Sequence, residues 1–214
     1  MPRKAIERHP FFPYHVYNRS IDKNFYPLDL SKMWTKCCDL LKILTTTFDA
    51  KIHAFVLMSN HYHLLISTPS ENIDSCMRYF QTELSKWITK NTKSGIYCFY
   101  GRYQYSIIKN SAHYLNVYRY VYQNPLRAGL CEHVENYNMS TINEVAGQLQ
   151  SKHLISMHDF NDVLPNTQDK LLVWLNTSLR DEDLLKVRRG LRRSIYTPPL
   201  QPKKTQKAEI CVGR

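Results

Sequence analysis

The 214-residue sequence is short of acidic side chains, with 18 Asp+Glu against 29 Lys+Arg, giving a formal net charge of +11 and a pI near 9.4. A basic balance of that size favours polyanionic partners, either nucleic acid or an anionic membrane surface. No apolar run approaches the ~20 residues that a spanning helix needs, so burial in a membrane is not expected. The opening stretch MPRKAIERHPFFP has no apolar signal core. Six cysteines, Cys37, Cys38, Cys76, Cys98, Cys131 and Cys211, show no C-x-x-C spacing. That argues against a zinc ribbon or finger and reads as ordinary reduced thiols in a cytoplasmic protein. No internal repeat is visible. The length suggests one domain with room for an appendage.

What the chain does have is tyrosine, fifteen in all. Rings interleaved with basic residues suit stacking on unpaired bases, although rings of this kind also simply pack. Tyr14–Asn18 alternates and predicts a strand. Asp29 or Ser31 can cap a helix running to about Thr47, with Met33, Trp34, Cys37, Leu40, Leu41 and Leu44 on its apolar stripe. Lys51–Met58 and His61–Thr68 predict two strands joined by the two-residue turn Ser59-Asn60. A second helix spans 72–91, with Cys76, Met77, Phe80, Leu84, Trp87 and Ile88 in helical spacing. A glycine-bounded loop (94–101) and a strand over Tyr103–Ile108 follow. Asn110 or Ser111 caps a third helix that Asn124-Pro125 should end. Its core stripe reads Tyr114, Leu115, Tyr118, Val121 and Tyr122.

The order β-α-β-β-α-β-α begins as a split βαβ unit. The expected fold class is α+β: a ferredoxin-like antiparallel sheet with two helices on one face, an added tyrosine-bearing helix, and a helical basic C-terminal extension. The expected division is 1–140 for the catalytic domain, 141–195 for the extension and 196–214 for a flexible tail. Within the extension, Thr141–Leu149, Gln168–Asn176 and Asp181–Arg193 are candidate helices. Lys186, Arg188, Arg189, Arg192 and Arg193 make a second basic patch, suited to DNA or to a solvated helix face.

Two short signals carry chemistry. In LMSNHYHLLI, His61 and His63 lie one residue apart on a strand, so they share a face about 7 Å apart. In RYVYQNP, Tyr120 and Asn124 are four apart on a helix and also share a face. Two imidazoles and an amide oxygen can hold a divalent metal beside a phenolic nucleophile, a combination suited to cutting a phosphodiester. With no thiolate or carboxylate in the set, the remaining positions are open to phosphate oxygen and water, and those hard ligands make Mg or Mn the expected metal. Each motif also has a bland reading: a satisfied histidine pair, a packed tyrosine, a C-cap asparagine before Pro125.

The blocks FPYHVYNRS, HAFVLMSNHYHLLIS, GRYQYS and RYVYQNPLRAGL stand in order over roughly residues 1–140. Together they resemble the single-tyrosine HUH transposases of insertion sequences, in the REP-associated (RAYT) branch. The resemblance implies a ferredoxin-like fold, His61 and His63 as the metal pair, Tyr120 as the nucleophile and Asn124 as the third ligand. It further implies cleavage of single-stranded DNA beside a hairpin or palindrome, through a covalent 5′-phosphotyrosine, and strand rejoining. Arg19, Arg102, Arg119 and Arg127 are then candidate DNA contacts. Related enzymes often dimerise, so a homodimer is compatible with the resemblance. Some relatives carry glutamine as third ligand, but Gln123 sits one residue early and points about 100° away. The family's Arg-Gly-Asn-like turn is replaced by Arg19-Ser20-Ile21-Asp22, and its Trp-Gln by Phe99-Tyr100. Two other readings remain at this stage: a domesticated hairpin DNA- or RNA-binding protein that does not transpose, and a metal-dependent nuclease using activated water.

Overall fold

A computed structural model describes residues 6–92, 98–99, 101–147, 154–156 and 159–198. The lead-in 1–5, part of the 94–101 loop, residues 148–149 and the tail beyond 198 lie outside the described residues. In chain order the main elements are β1 (Tyr14–Arg19), α1 (Leu30–Thr47), β2 (Lys51–Leu57), β3 (His61–Ser67), α2 (Ile73–Asn91), β4 (Gln104–Ile107) and α3 (Ser111–Tyr122). The strands form one sheet in the order β2-β3-β1-β4, with every pairing antiparallel. This is the α+β, ferredoxin-like arrangement that the element order implied.

The strand period of two sorts side chains between the faces. Tyr14 and Val16 of β1, and Tyr62, Leu64 and Ile66 of β3, pack with α1 and α2. Those helices contribute Met33, Cys37, Leu41 and Leu44, and Cys76, Met77, Phe80, Leu84 and Ile88. Trp87 is only half-buried. Asp29 caps α1, accepting from the backbone N–H of Ser31 at 2.9 Å and of Lys32 at 3.2 Å. The hairpin tip Ser59-Asn60 is stitched to the chain after β1: Ser20 N donates to Asn60 O at 2.8 Å, and Tyr26 N to Ser59 O at 2.8 Å. That contact fixes where β3 begins, and hence where His61 stands.

The opposite face is covered by α3, with Ala54, Val56 and Leu65 of the sheet meeting Tyr114, Val117, Tyr118 and Val121. Val117 is fully buried and Leu115 only partly, so the contact stripe is rotated from the expected one. The reason is that α3 is covered on two sides, by the sheet and by the C-terminal helices. Helix α3 ends at Tyr122, ahead of the proline. The chain then makes a further helical turn, α4 (Asn124–Arg127), with Pro125 in its first turn, where the missing N–H costs nothing.

Segments that follow α4 cover both sheet edges. Beside β2, Leu57 N donates to Met139 O at 2.9 Å and Tyr137 Oη to Leu57 O at 2.8 Å. Beside β4, Ile107 N donates to Ser194 O and Tyr196 N to Ile107 O, both at 2.9 Å. Edges covered in this way cannot template association. Of the helices expected in the extension, α5 is a short turn (Ile142–Val145), α6 spans Gln168–Asn176, and α7 spans Asp181–Gly190, three residues shorter than expected. Cys37, Cys38, Cys76, Cys98 and Cys131 form no disulfide. Among the described residues no helix is long and apolar enough to cross a membrane.

Candidate active site

A cavity of about 580 Å³ opens between the α3 face of the sheet and the ends of α3 and α7. His15, Tyr17 and Arg19 of β1, His61 and His63 of β3, and Met58 line its floor. Tyr120, Asn124, Arg127 and Ala128 form one wall, and Arg188, Leu191 and Arg192 the other. The shared faces inferred from H-x-H and Tyr-x-x-x-Asn therefore look into one space.

The strand register explains the histidines. Arg19 pairs with His61 and Tyr17 with His63 across β1 and β3, so these side chains emerge together. The rings of His61 and His63 have centroids 5.0 Å apart, nearly perpendicular. His61 Nδ1 meets Asn60 Oδ1 at 2.7 Å, and His63 Nδ1 meets His15 Nε2 at 3.0 Å. Each ring thus has Nδ1 engaged and Nε2 left over. Burial pushes the His61 imidazole down to about 4, helped by Arg19, and drives His63 well below its ordinary value. Both rings are therefore neutral at pH 7, the form that can bind a metal.

Tyr120 is 8 % exposed, with its ring 5.4 Å from that of His63 and 6.0 Å from that of His15, edge-on to both. Burial raises its phenol above the ordinary value, and the neighbouring Arg188 guanidinium draws it back. Asn124 donates its amide nitrogen to the Tyr120 carbonyl at 2.7 Å, which leaves its amide oxygen for the cavity it lines. Among the described residues no three His, Cys, Asp or Glu side chains gather into a group that could hold a metal. The residues here that could hold one are the His61 and His63 imidazoles and the Asn124 amide oxygen. The two Nδ1 contacts suit that use, because a ligating histidine normally engages its other ring nitrogen.

The four expected DNA-contacting arginines separate. Arg19 and Arg127 line the cavity. Arg119 does not: it donates to the Thr177 carbonyl and lies over the Trp174 ring, 5.2 Å from its centroid. Arg102 lies over Tyr103 beside α2, in a second groove of about 930 Å³ that also holds Arg78, Lys86 and Lys90. Gln123 is fully buried, donating to the Leu175 and Thr177 carbonyls at 2.6 and 2.8 Å, which makes it a structural residue. Sequence reasoning missed His15, Arg188 and Arg192 as cavity residues. Strand parity with Arg19 could have found His15; no local signal brings α7 here.

Fold and cavity define a class: a ferredoxin-like α+β protein with two histidines and one tyrosine converging in an arginine-lined pocket. The chain belongs to the IS200-like transposase family, whose model, described as "Transposase IS200 like", matches residues 14–124. Membership makes it a transposase-type, DNA-processing enzyme. Among solved structures it is similar to the REP-associated tyrosine transposase bound to a REP hairpin, with a TM-score of 0.59 and 16 % identity over 75 % of this chain and 93 % of that one. A candidate transposase from Deinococcus radiodurans R1 matches at a TM-score of 0.38 and 14 % identity, over 56 % of this chain and 94 % of that one. No curated protein matches the chain.

Proposed function

We propose that the chain cleaves single-stranded DNA next to a hairpin or palindrome through a covalent 5′-phosphotyrosine on Tyr120, and rejoins strands by reversing that step. One observation carries this reading: Tyr120 shares a single cavity with His61, His63 and Asn124, and four arginines but no carboxylate line it. An unpaired run of guanidinium groups is matched by a sugar–phosphate backbone. A relative of the same fold is bound to a REP hairpin, which agrees with a hairpin-bearing partner.

The phenol of Tyr120 attacks the scissile phosphorus. The new O–P bond replaces the P–O3′ bond, the phenolic proton goes to water, and O3′ leaves as a hydroxyl after taking a proton from water. A second strand's 3′ hydroxyl reverses these changes, so no external energy source is needed. His61, His63 and Asn124 would hold a divalent ion, Mg or Mn, whose bound form supplies charge stabilisation at the phosphate and the leaving oxygen. Arg19 and Arg127 orient the backbone. By role we divide the chain into a catalytic part (1–140), a helical basic extension (141–195) and a tail (196–214). A homodimer is compatible with this arrangement.

The test is incubation with 5′-labelled and 3′-labelled single-stranded hairpin DNA, with Mn²⁺ or with a chelator, followed by denaturing electrophoresis. A protein–DNA adduct that retains the 3′ label and needs the metal supports the reading. Hairpin binding without an adduct points to a domesticated binder. Hydrolysis without an adduct points to water as the nucleophile.

A further inference from the structure

The family match ends at Asn124, yet one wall of the cavity comes from the far end of the chain. That wall is held firmly. Leu184, Val187 and Leu191 are buried in the cluster that contains Tyr118, Tyr120 and Val121 of α3. Just past α7, the segment Ser194–Tyr196 pairs with the free edge of β4 through the two 2.9 Å bonds to Ile107. The Tyr196 ring packs edge-on against His113 at 4.8 Å. It also lies directly on the last turn of α7: a Cβ built on Gly190 would stand 2.7 Å from its Cε2. With both ends of the wall fixed, Arg188 in the last turn of α7 and Arg192 in the turn that follows it are presented to the cavity.

The charges on α7 are sorted. Asp183 is occupied by Arg180 at 2.9 Å and Lys186 at 3.1 Å. Among the described residues Arg188, Arg192, Arg19 and Arg127 form no ion pair. Burial lowers the Arg127 guanidinium, and the nearby Arg188 charge lowers it further. A cluster of like charges held in no ion pair favours an anion from outside.

The geometry points to Arg188 as a catalytic residue delivered by the C-terminal extension, bridging the Tyr120 hydroxyl and a non-bridging oxygen of the scissile phosphate. This inference rests on the phosphotyrosine reading above. As the Tyr120 oxygen bonds to phosphorus, its proton passes to water. The P–O3′ bond breaks, and O3′ keeps the electron pair and takes a proton from water. Arg188 gives up no proton and takes none in this step. Its planar fork of N–H donors stays with the negative charge as that charge moves from the phenol oxygen to the phosphate oxygens.

The test compares wild type, Arg188→Gln, Arg188→Lys and Lys42→Gln, the last removing the same charge from the exposed outer face of α1. Adduct formation is followed at saturating hairpin DNA with Mn²⁺, alongside hairpin affinity and thermal unfolding. Arg188→Gln is expected to slow adduct formation on the order of 100-fold while the hairpin Kd moves by less than about threefold. Arg188→Lys should recover part of the rate, and Lys42→Gln all of it. With a neutral methylphosphonate at the scissile position, wild type and Arg188→Gln should react within about fivefold of each other, because the anionic partner is gone. A wild-type rate in Arg188→Gln overturns the inference alone. So does a loss that persists on the methylphosphonate and tracks a lowered unfolding temperature, since that marks a structural role. Absence of any adduct in the wild type overturns the phosphotyrosine reading and this inference with it.

Discussion

The two faces of the sheet are made from the same strands and are put to opposite uses. Toward α1 and α2, β1 and β3 present Tyr14, Val16, Tyr62, Leu64 and Ile66, closed into a continuous apolar core. Toward α3 the intervening positions present His15, Tyr17, Arg19, His61 and His63, and the covering is incomplete, leaving the cavity. His63, at 4 % exposed, and His15, at 1 %, are polar groups buried where apolar ones would pack better. Burying them costs stability. One face holds the fold together, and the other gives up stability for a site.

The comparison is most sharply broken at Tyr120. Tyr120→Phe should abolish the covalent adduct and leave hairpin affinity and folding near wild type, because only the nucleophilic oxygen is lost. An undiminished adduct, measured by denaturing gel, would move the nucleophile to Tyr17 or elsewhere. Next comes His61→Ala, which should remove the adduct together with its dependence on divalent ion. Retained activity that still responds to Mn²⁺ would place the metal set elsewhere.

On the other face the expected loss is in stability. Phe80→Ala, emptying a fully buried position in the core cluster, should cost about 3–5 kcal/mol in denaturant unfolding. A cost below about 1 kcal/mol would mean that this face is not the packed one.

These faces could be foreseen to different degrees. The sheet, α1, α2 and the α6 boundaries follow from short-range patterns: period-two alternation, i, i+3, i+4 stripes and caps such as Asp29. His61, His63, Tyr120 and Asn124 were legible as pairs because each pair is set by spacing within one element. His15 was not, since its place beside His63 depends on pairing between strands 48 residues apart. The rotation of α3 that buries Val117 and half-exposes Leu115 follows from burial on two sides, which blurs a single stripe. Arg119 looks like any other arginine in the sequence. Only the Thr177 carbonyl and Trp174, more than 50 residues away, decide where it points.

A smaller effect separates the faces by pH. Burial pushes His15 down to about 3 and His61 to about 4. The unfolded chain takes up protons near the ordinary histidine value of about 6.5 while the folded site resists them. The contribution of these neutral rings is therefore complete above about pH 6.5 and is lost progressively as pH falls toward 4. Metal-free protein should show a lower denaturation midpoint at pH 5 than at pH 7.5; a midpoint that is unchanged or higher would contradict the buried neutral histidines.

The smallest expected effect sorts the arginines. Arg127→Gln should reduce the salt dependence of hairpin binding by about one phosphate contact, whereas Arg119→Gln should leave it unchanged. Equal slopes for both variants would erase the distinction between the arginine in the cavity and the one outside it.

The central claim, that Tyr120 and the histidine pair form one reaction site, is tested most directly by mapping the adduct. After reaction with single-stranded hairpin DNA and Mn²⁺, nuclease trimming, proteolysis and mass spectrometry should find a nucleotide joined through its 5′ phosphate to Tyr120 and to no other tyrosine. The modification should vanish in the presence of chelator. A nucleotide on Tyr17 or on another of the fifteen tyrosines, or cleavage with no modified tyrosine at all, would contradict it.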